Sequence, residues 1–219
     1  MSDQIDIPMV NVRTKAEAAY QELSARILDG SMQPGSTVSQ ETLATALGVS
    51  ITPLREALRR LESDGLVILE AHRTLTVAPL SAREVRELYA VRLQLDPYAA
   101  GLAAEIAPPV ALDRIEALAS RPLKATARAR LKANREFHQA IYYASGNAAL
   151  AEILDRLWDR TDRYRMIVVQ VESEERKVER EHREIAEALR ARDVARSTRL
   201  MRDHVAETLR LVEQHAALS

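Results

Sequence analysis

The sequence predicts a mainly α-helical protein in two parts, a small α+β domain followed by an all-α domain of about six helices. Three observations predict it. Aromatic residues make up only 4% of the 219 residues and glycines number 6, against 47% hydrophobic and 29% charged residues. That balance favours helices over sheets. Apolar residues recur at intervals of three and four along most of the chain, the period of an amphipathic helix. The one clear change of period lies within 66–77, where two short apolar runs flank a polar tip, as in a β-hairpin.

Taken in order, 1–13 reads as a loose leader. A helix over 14–28 carries Tyr20, Leu23 and Ile27, and Gly30 ends it before a Pro34-Gly35 turn. A short helix over 39–47 places Leu43, Ala44 and Leu47 on one side and stops at Gly48. A second short helix spans about 52–64. Pro53 sits in its first turn, where a missing N–H does no harm, and Ser50 or Thr52 is its expected cap. Strands are expected at 66–69 and 75–77, joined by 70–74, with Pro79 and Leu80 as linker. Ser81 and Glu84 have capping-box spacing and open a helix to about Ile106, which Pro108-Pro109 terminates. Further helices are expected at 109–119, 123–144, 147–171, 174–191 and 193–216. The expected division is a leader over 1–13, a first domain over 14–78 and a helical domain over 79–219.

Composition excludes several classes. There are no cysteines, hence no disulfides, thiol nucleophiles or thiolate metal sites. The N-terminal residues have no signal-peptide core, and apolar stretches such as 166–169 are far too short to span a bilayer. A cytoplasmic protein without membrane contact is expected. The net charge of −1 gives no overall pull towards nucleic acid, so any basic patch must be local.

Helix, short helix, tight turn, short helix and hairpin is the order of a winged helix-turn-helix, whose second short helix enters the major groove. In that helix Leu54, Ala57, Leu58 and Leu61 form the inner side. Arg55, Arg59 and Arg60 face out, with Ser50, Ile51 and Thr52 at the leading end. An arginine fork suits guanine edges and phosphates. The hairpin tip, His72 and Arg73, is placed to reach the backbone or minor groove. The alternative is that the arginines are an ordinary solvated face. Over 10–80 there are seven Lys/Arg (13, 15, 26, 55, 59, 60, 73) against eight Asp/Glu (17, 22, 29, 41, 56, 62, 64, 70), so charge alone does not argue for DNA.

The run LATALGVSITPLREALRRLESDGLV over 43–67, with ILDGSMQPG upstream at 27–35, closely resembles the helix-turn-helix signature of the GntR family of bacterial transcription regulators. The resemblance implies that Arg55 and Thr52 contact double-stranded operator DNA and that His72 and Arg73 contribute from the wing. Ser50 and Arg59 are candidates from their place on the same outward face, with helix–helix salt bridges the alternative for Arg59 and Arg60. The family usually has arginine at the position of Ile51, and some members have it at Glu41. Arg55 therefore carries more of the recognition here.

In the helical half, the inward stripes contain polar residues. They are Arg92 among Val85, Leu88 and Leu95; Asn134 and His138 between Leu131 and Ile141; His182 between Val178 and Ile185; and His204 between Met201 and Thr208. Burying such groups unpaired costs a few kcal/mol each. His182 lies ten residues before Arg192 and His204 twelve after it, so an antiparallel hairpin brings them level. Asn134 and His138 stack one turn apart. One oxygen and three imidazoles suit a divalent transition metal with open positions. The alternative is a set of hydrogen-bonded core histidines.

RLQLDPYAAGLAA over 92–104, NREFH over 134–138 followed by SGN, then Glu181-His182 and His204 resemble the FCD domain of the FadR branch of that family. The resemblance implies a metal, often zinc or nickel, on Asn134, His138, His182 and His204, inside a pocket for a small carboxylate effector. The family commonly has aspartate where Asn134 stands, and an amide is the weaker ligand. Arg92 is a candidate clamp for the effector, or an ion-pair partner of Asp96 one turn on. The expected protein is a homodimeric regulator, a repressor released by its effector. A metalloenzyme is the second hypothesis, and it lacks an evident general base, since Glu181 points about 100° from His182. A winged helix reused for a non-DNA partner is the third.

Overall fold

A computed structural model describes residues 14–70, 74–121, 126–169 and 175–215; His72 and Arg73 lie outside the described residues. The first part contains α1 (Lys15–Leu28), β1 (Thr37–Ser39), α2 (Gln40–Leu47), α3 (Ile51–Ser63), β2 (Val67–Leu69) and β3 (Thr74–Val77). Thr14 caps α1 and Ser39 caps α2 through side-chain oxygens. Gly48, at φ 64°, closes α2 in the left-handed region. That conformation turns the chain directly into α3 and favours glycine. Leu23, Ile27, Leu43, Leu54, Leu58, Leu61, Leu66, Val67, Leu75 and Val77 form one apolar cluster.

Two expectations need correction. α3 starts at Ile51, so Thr52 is inside the helix, and Ser50, at the N-cap, makes no side-chain cap bond. Pro53 contributes: a capping oxygen takes the N–H of the second or third helical residue, and the third here is proline, which has none. The sheet also has three strands, not two, in the order β1-β3-β2, all antiparallel. Thr37 pairs with Thr76 and Val67 with Val77. Strand β1 is three residues long with a mostly exposed pattern, too short to carry a readable period.

The second part is helical throughout its described residues: α4 (Ala82–Ile106), α5 (Pro109–Ala119), α6 (Ala127–Ala144), α7 (Ala148–Val168), α8 (Glu175–Arg190) and α9 (Val194–His215). Its main apolar cluster draws on α4 to α9, including Val85, Phe137, Ile141, Ile185, Leu189 and Met201. A smaller one joins Ala99, Tyr142, Leu150, Leu154 and Trp158. Pro97 lies inside α4. It cannot donate to the Leu93 carbonyl one turn back, and Arg202 of α9 supplies the missing donor, Nη1 to Leu93 O at 3.0 Å.

Half of the expected capping box forms. Ser81 Oγ accepts from the Glu84 N–H at 3.4 Å, but the Ser81 N–H donates to the Tyr164 hydroxyl, which in turn donates to Glu84 Oε2 at 2.7 Å. Arg160 and Arg163 also bond Glu84. Burial works against the Glu84 carboxylate, yet these bonds and the nearby arginine charge hold it below the usual carboxylate range. This knot ties the start of α4 to α7. Residues 161–166 of α7 are all buried, because α1 lies on one side of this helix and the bundle on the other. The outer side of α4 presents Val91, Tyr98 and Ile106, 45%, 54% and 58% exposed, with half-buried Leu95 and Leu102 between them.

Candidate metal centre and DNA-reading face

On α3, Leu54, Ala57, Leu58 and Leu61 are buried and Ser50, Thr52, Arg55, Arg59 and Arg60 are exposed. The predicted face therefore points outward. The arginines differ in surroundings. Arg60 bonds Glu17 at 2.5 Å and lies 4.1 Å over the Tyr20 ring, so it fastens α3 to α1. Arg55 Nε donates to Gln40 Oε1 at 3.4 Å. Gln40 is the one buried polar residue among the described residues of this part. It restrains the root of the Arg55 side chain and leaves the outer fork nitrogens to a partner. Arg59 has no ion pair among the described residues.

In the helical part α6, α8 and α9 each deliver one imidazole to a common point. One ring nitrogen from each of His138, His182 and His204 lies within 4.8 Å of the others. His138 Nε2 and His204 Nε2 are 3.2 Å apart. Two nitrogens bound tetrahedrally to zinc stand about 3.3 Å apart. The α8–α9 hairpin puts His182 and His204 level, ring centroids 5.0 Å apart, as the spacing about Arg192 predicts. Arg192, at φ 58°, makes that turn.

The protonation pattern favours ligation. Burial, then the charges of the neighbouring histidines, hold His138 well below the usual histidine value, and burial does the same to His182. Both are neutral at physiological pH, with lone pairs available. His138 Nδ1, His182 Nε2 and both side-chain amide atoms of Asn134 are buried without a hydrogen-bond partner. Orphaned buried polar atoms are uncommon in a folded interior, and a cation among the three rings would take the lone pair of His182 Nε2. These residues fit a divalent metal.

Glu181, weighed from the sequence only as a general base beside His182, faces a different histidine. Its Oε2 lies 2.7 Å from His204 Nδ1. A carboxylate there fixes the proton on Nδ1 and turns the Nε2 lone pair towards the other two rings, the arrangement that orients metal-bound histidines. Neighbouring in sequence to His182, it serves His204 from the outer side.

Beside the histidines, two guanidiniums flank Trp158. Arg92 lies 4.6 Å and Arg165 4.4 Å from its ring. Arg92 is fully buried and forms the ion pair weighed above, Nη2 to Asp96 Oδ2 at 2.7 Å. Tyr142 and Trp158 continue this network, Trp158 Nε1 to Tyr142 Oη and Tyr142 Oη to Asp96 Oδ2, each at 2.8 Å. Only Arg92 Nη1 is left unpartnered. Arg165 is different. It is 4% exposed, and its guanidinium has no hydrogen-bond or ion-pair partner among the described residues. Burial pulls it below the ordinary arginine value, with Arg92 adding to the effect. A buried cation with no ion-pair contact is costly. Arg165 is an anion-attracting group beside the histidines, and no apolar stripe singles it out because 161–166 is buried all round.

Comparison with known proteins agrees with this architecture. Residues 15–77 match the bacterial regulatory proteins of the gntR family, and residues 87–207 match the FCD domain. The chain is 30% identical to the HTH-type transcriptional regulator BphR of Paraburkholderia xenovorans, over 99% of this chain and 93% of that one. It is 29% identical to the HTH-type transcriptional repressor GlaR of Escherichia coli, over 90% and 96%. The solved structure of Escherichia coli McbR/YncC superposes with a TM-score of 0.77 at 25% identity, covering 93% of this chain and 99% of that one. A GntR-type regulator from Rhodococcus shares the fold at 0.76. No helix among the described residues is long and apolar enough to cross a membrane. The chain belongs to the GntR family of bacterial regulatory proteins: it is a DNA-binding transcription regulator with a C-terminal FCD domain, and not an enzyme.

Proposed function

We propose that this regulator is a homodimeric repressor of the FadR branch, whose hold on operator DNA is set by a small carboxylate bound beside a divalent metal, zinc or nickel. The observation that carries the reading is the meeting, in a single interior, of three buried histidines with one guanidinium that has no ion-pair contact among the described residues. His138, His182 and His204 are the metal ligands, with Asn134 Oδ1 completing the set and Glu181 orienting His204. A divalent metal held by these residues would supply a Lewis-acid charge for the carboxylate. Arg165 is the principal counter-charge for that anion, and Arg92 offers its free Nη1 while Asp96 holds the rest of its fork.

At the DNA, Arg55 reads base edges with Thr52, and Ser50 and Arg59 contact phosphates. The wing tip, His72 and Arg73, adds a contact beyond the described residues. Seven cations against eight anions over 10–80 make a single winged domain a weak binder. Pairing two of them on adjacent half-sites raises affinity through effective concentration. The apolar stripe of Val91, Leu95, Tyr98, Leu102 and Ile106 supports a second copy as its cover, since an isologous interface needs a self-complementary patch. Location in the cytoplasm follows from the role.

Thermal unfolding with added zinc or nickel, and with small mono- and dicarboxylates, tests the pocket. Metal should raise Tm, and carboxylate should raise it further only in metal-loaded protein. His138→Ala should lose both responses. If that variant keeps the metal response of the parent, the ligand assignment is wrong.

A further inference from the structure

We propose that α7, with the Arg135–Asp159–Asp162 cluster on its outer side, is the element that passes occupancy of the histidine pocket to the winged domain. This rests on the pocket reading above. Coupling between two sites needs a physical element that touches both and has two arrangements. The α6–α7 pair touches both. On α6, Asn134 and His138 face the pocket while Arg135, about 100° round the helix, faces the seam with α1. On α7, Trp158 and Arg165 face the pocket, Asp159 and Asp162 face the seam, and Arg163 Nη1 donates to the linker carbonyl of Ala78 at 3.2 Å.

The seam is not closed by apolar packing. A mostly polar cavity of about 330 Å³ lies there, lined by Tyr20, Gln21 and Ser24 of α1 and by Arg128, Arg135, Asp159 and Asp162, with Ala25, Leu28 and Leu66 at its apolar margin. α1 can shift against α7 without opening a hydrophobic core. The polar cluster itself has an unused bond. Arg135 divides its fork, Nη1 to Asp162 Oδ2 at 3.0 Å and Nη2 to Asp159 Oδ1 at 2.6 Å, with a longer bond from Nη2 to the Asp155 carbonyl at 3.4 Å. Asp162 Oδ1 is buried with no partner. Swinging the fork wholly onto Asp162 would satisfy that oxygen and release Asp159. These are the two arrangements.

The trigger is charge. Asp162 and Arg165 stand one turn apart on α7, and each feels the other's charge. While no anion sits on Arg165, its charge shares in holding the Asp162 carboxylate. An anion seated on Arg165 takes that support away, and Asp162 then depends on Arg135 alone. The fork moves, Asp159 is freed, and the surface on which α1 rests changes.

Hydrogen–deuterium exchange on the full chain tests this without a ligand. Arg165→Gln imitates the neutralised guanidinium. It should change exchange in α1 by about threefold or more, a usual coupling magnitude. In an Arg135→Gln background the same change should leave α1 unmoved, while peptides around His182 and His204 respond to Arg165→Gln in both. Asp162→Asn provides a second background that keeps side-chain volume. An α1 that ignores Arg165→Gln, or that responds equally in all backgrounds, overturns the proposal. Added zinc, read at the His204 peptide, tests the pocket separately: no protection there would sink the metal reading and leave the α1 result standing on its own.

Discussion

His138 and His182 are buried as neutral rings, and that has a measurable consequence in metal-free protein. Their folded values lie below the unfolded one of about 6.5. Above that pH neither state is charged and they contribute nothing to pH dependence. As pH falls below about 6.5 the unfolded chain takes up protons that the folded chain refuses, so stability drops. The slope approaches about 1.4 kcal/mol per pH unit for each ring. Urea unfolding at pH 7.5, 6 and 5 should show this loss, and His182→Gln should flatten it. The three histidines were legible because each falls on an inward stripe where an apolar residue is expected. The pairing of Glu181 with His204 was not legible, because the two lie on different helices, 23 residues apart. Gln40 was hidden for the same reason, its partner Arg55 lying 15 residues on. Ser50 misled as a cap because the cost of Pro53 appears only in the identity of the N–H that a cap would use.

At the scale of elements, α4 shows how a helix tolerates proline. Arg202 supplies the donor that Pro97 lacks, so Arg202→Leu should cost about 1 kcal/mol. In a Pro97→Ala background the Leu93 carbonyl regains its own helical partner, and Arg202→Leu should then be nearly neutral. Equal costs in both backgrounds, by urea denaturation, would contradict this account. Helix positions followed from the sequence closely, since amphipathic period and punctuation by proline, glycine and serine agree along the bundle. α7 is the exception in content rather than position. Its residues 161–166 are buried on every side, so no stripe exists to single out Arg165. Its buried charges make sense only once α1 and the bundle are seen on opposite sides. Strand β1 escaped for a simpler reason: three residues cannot display a period of two.

For the whole molecule, the account joins a winged domain of nearly balanced charge to a helical domain holding a buried cation with no ion-pair contact among the described residues beside three histidines. With so little net charge on each winged domain, the proposed dimer is what should make DNA binding strong. Tyr98→Glu, in the middle of the outer α4 stripe, should shift the protein to monomer in sedimentation and weaken operator binding at least tenfold without lowering Tm in proportion; a variant that stays dimeric would place the interface elsewhere. The most direct measurement is a fluorescence-anisotropy titration of the full chain against DNA from upstream of its own gene. It should be made at two salt concentrations, with zinc alone and with zinc plus a carboxylate found by thermal shift. The account predicts salt-sensitive, sequence-specific binding that Arg55→Ala abolishes and that the carboxylate weakens in the parent but not in His138→Ala. Specific binding that the carboxylate leaves unchanged in metal-loaded parent protein would contradict it.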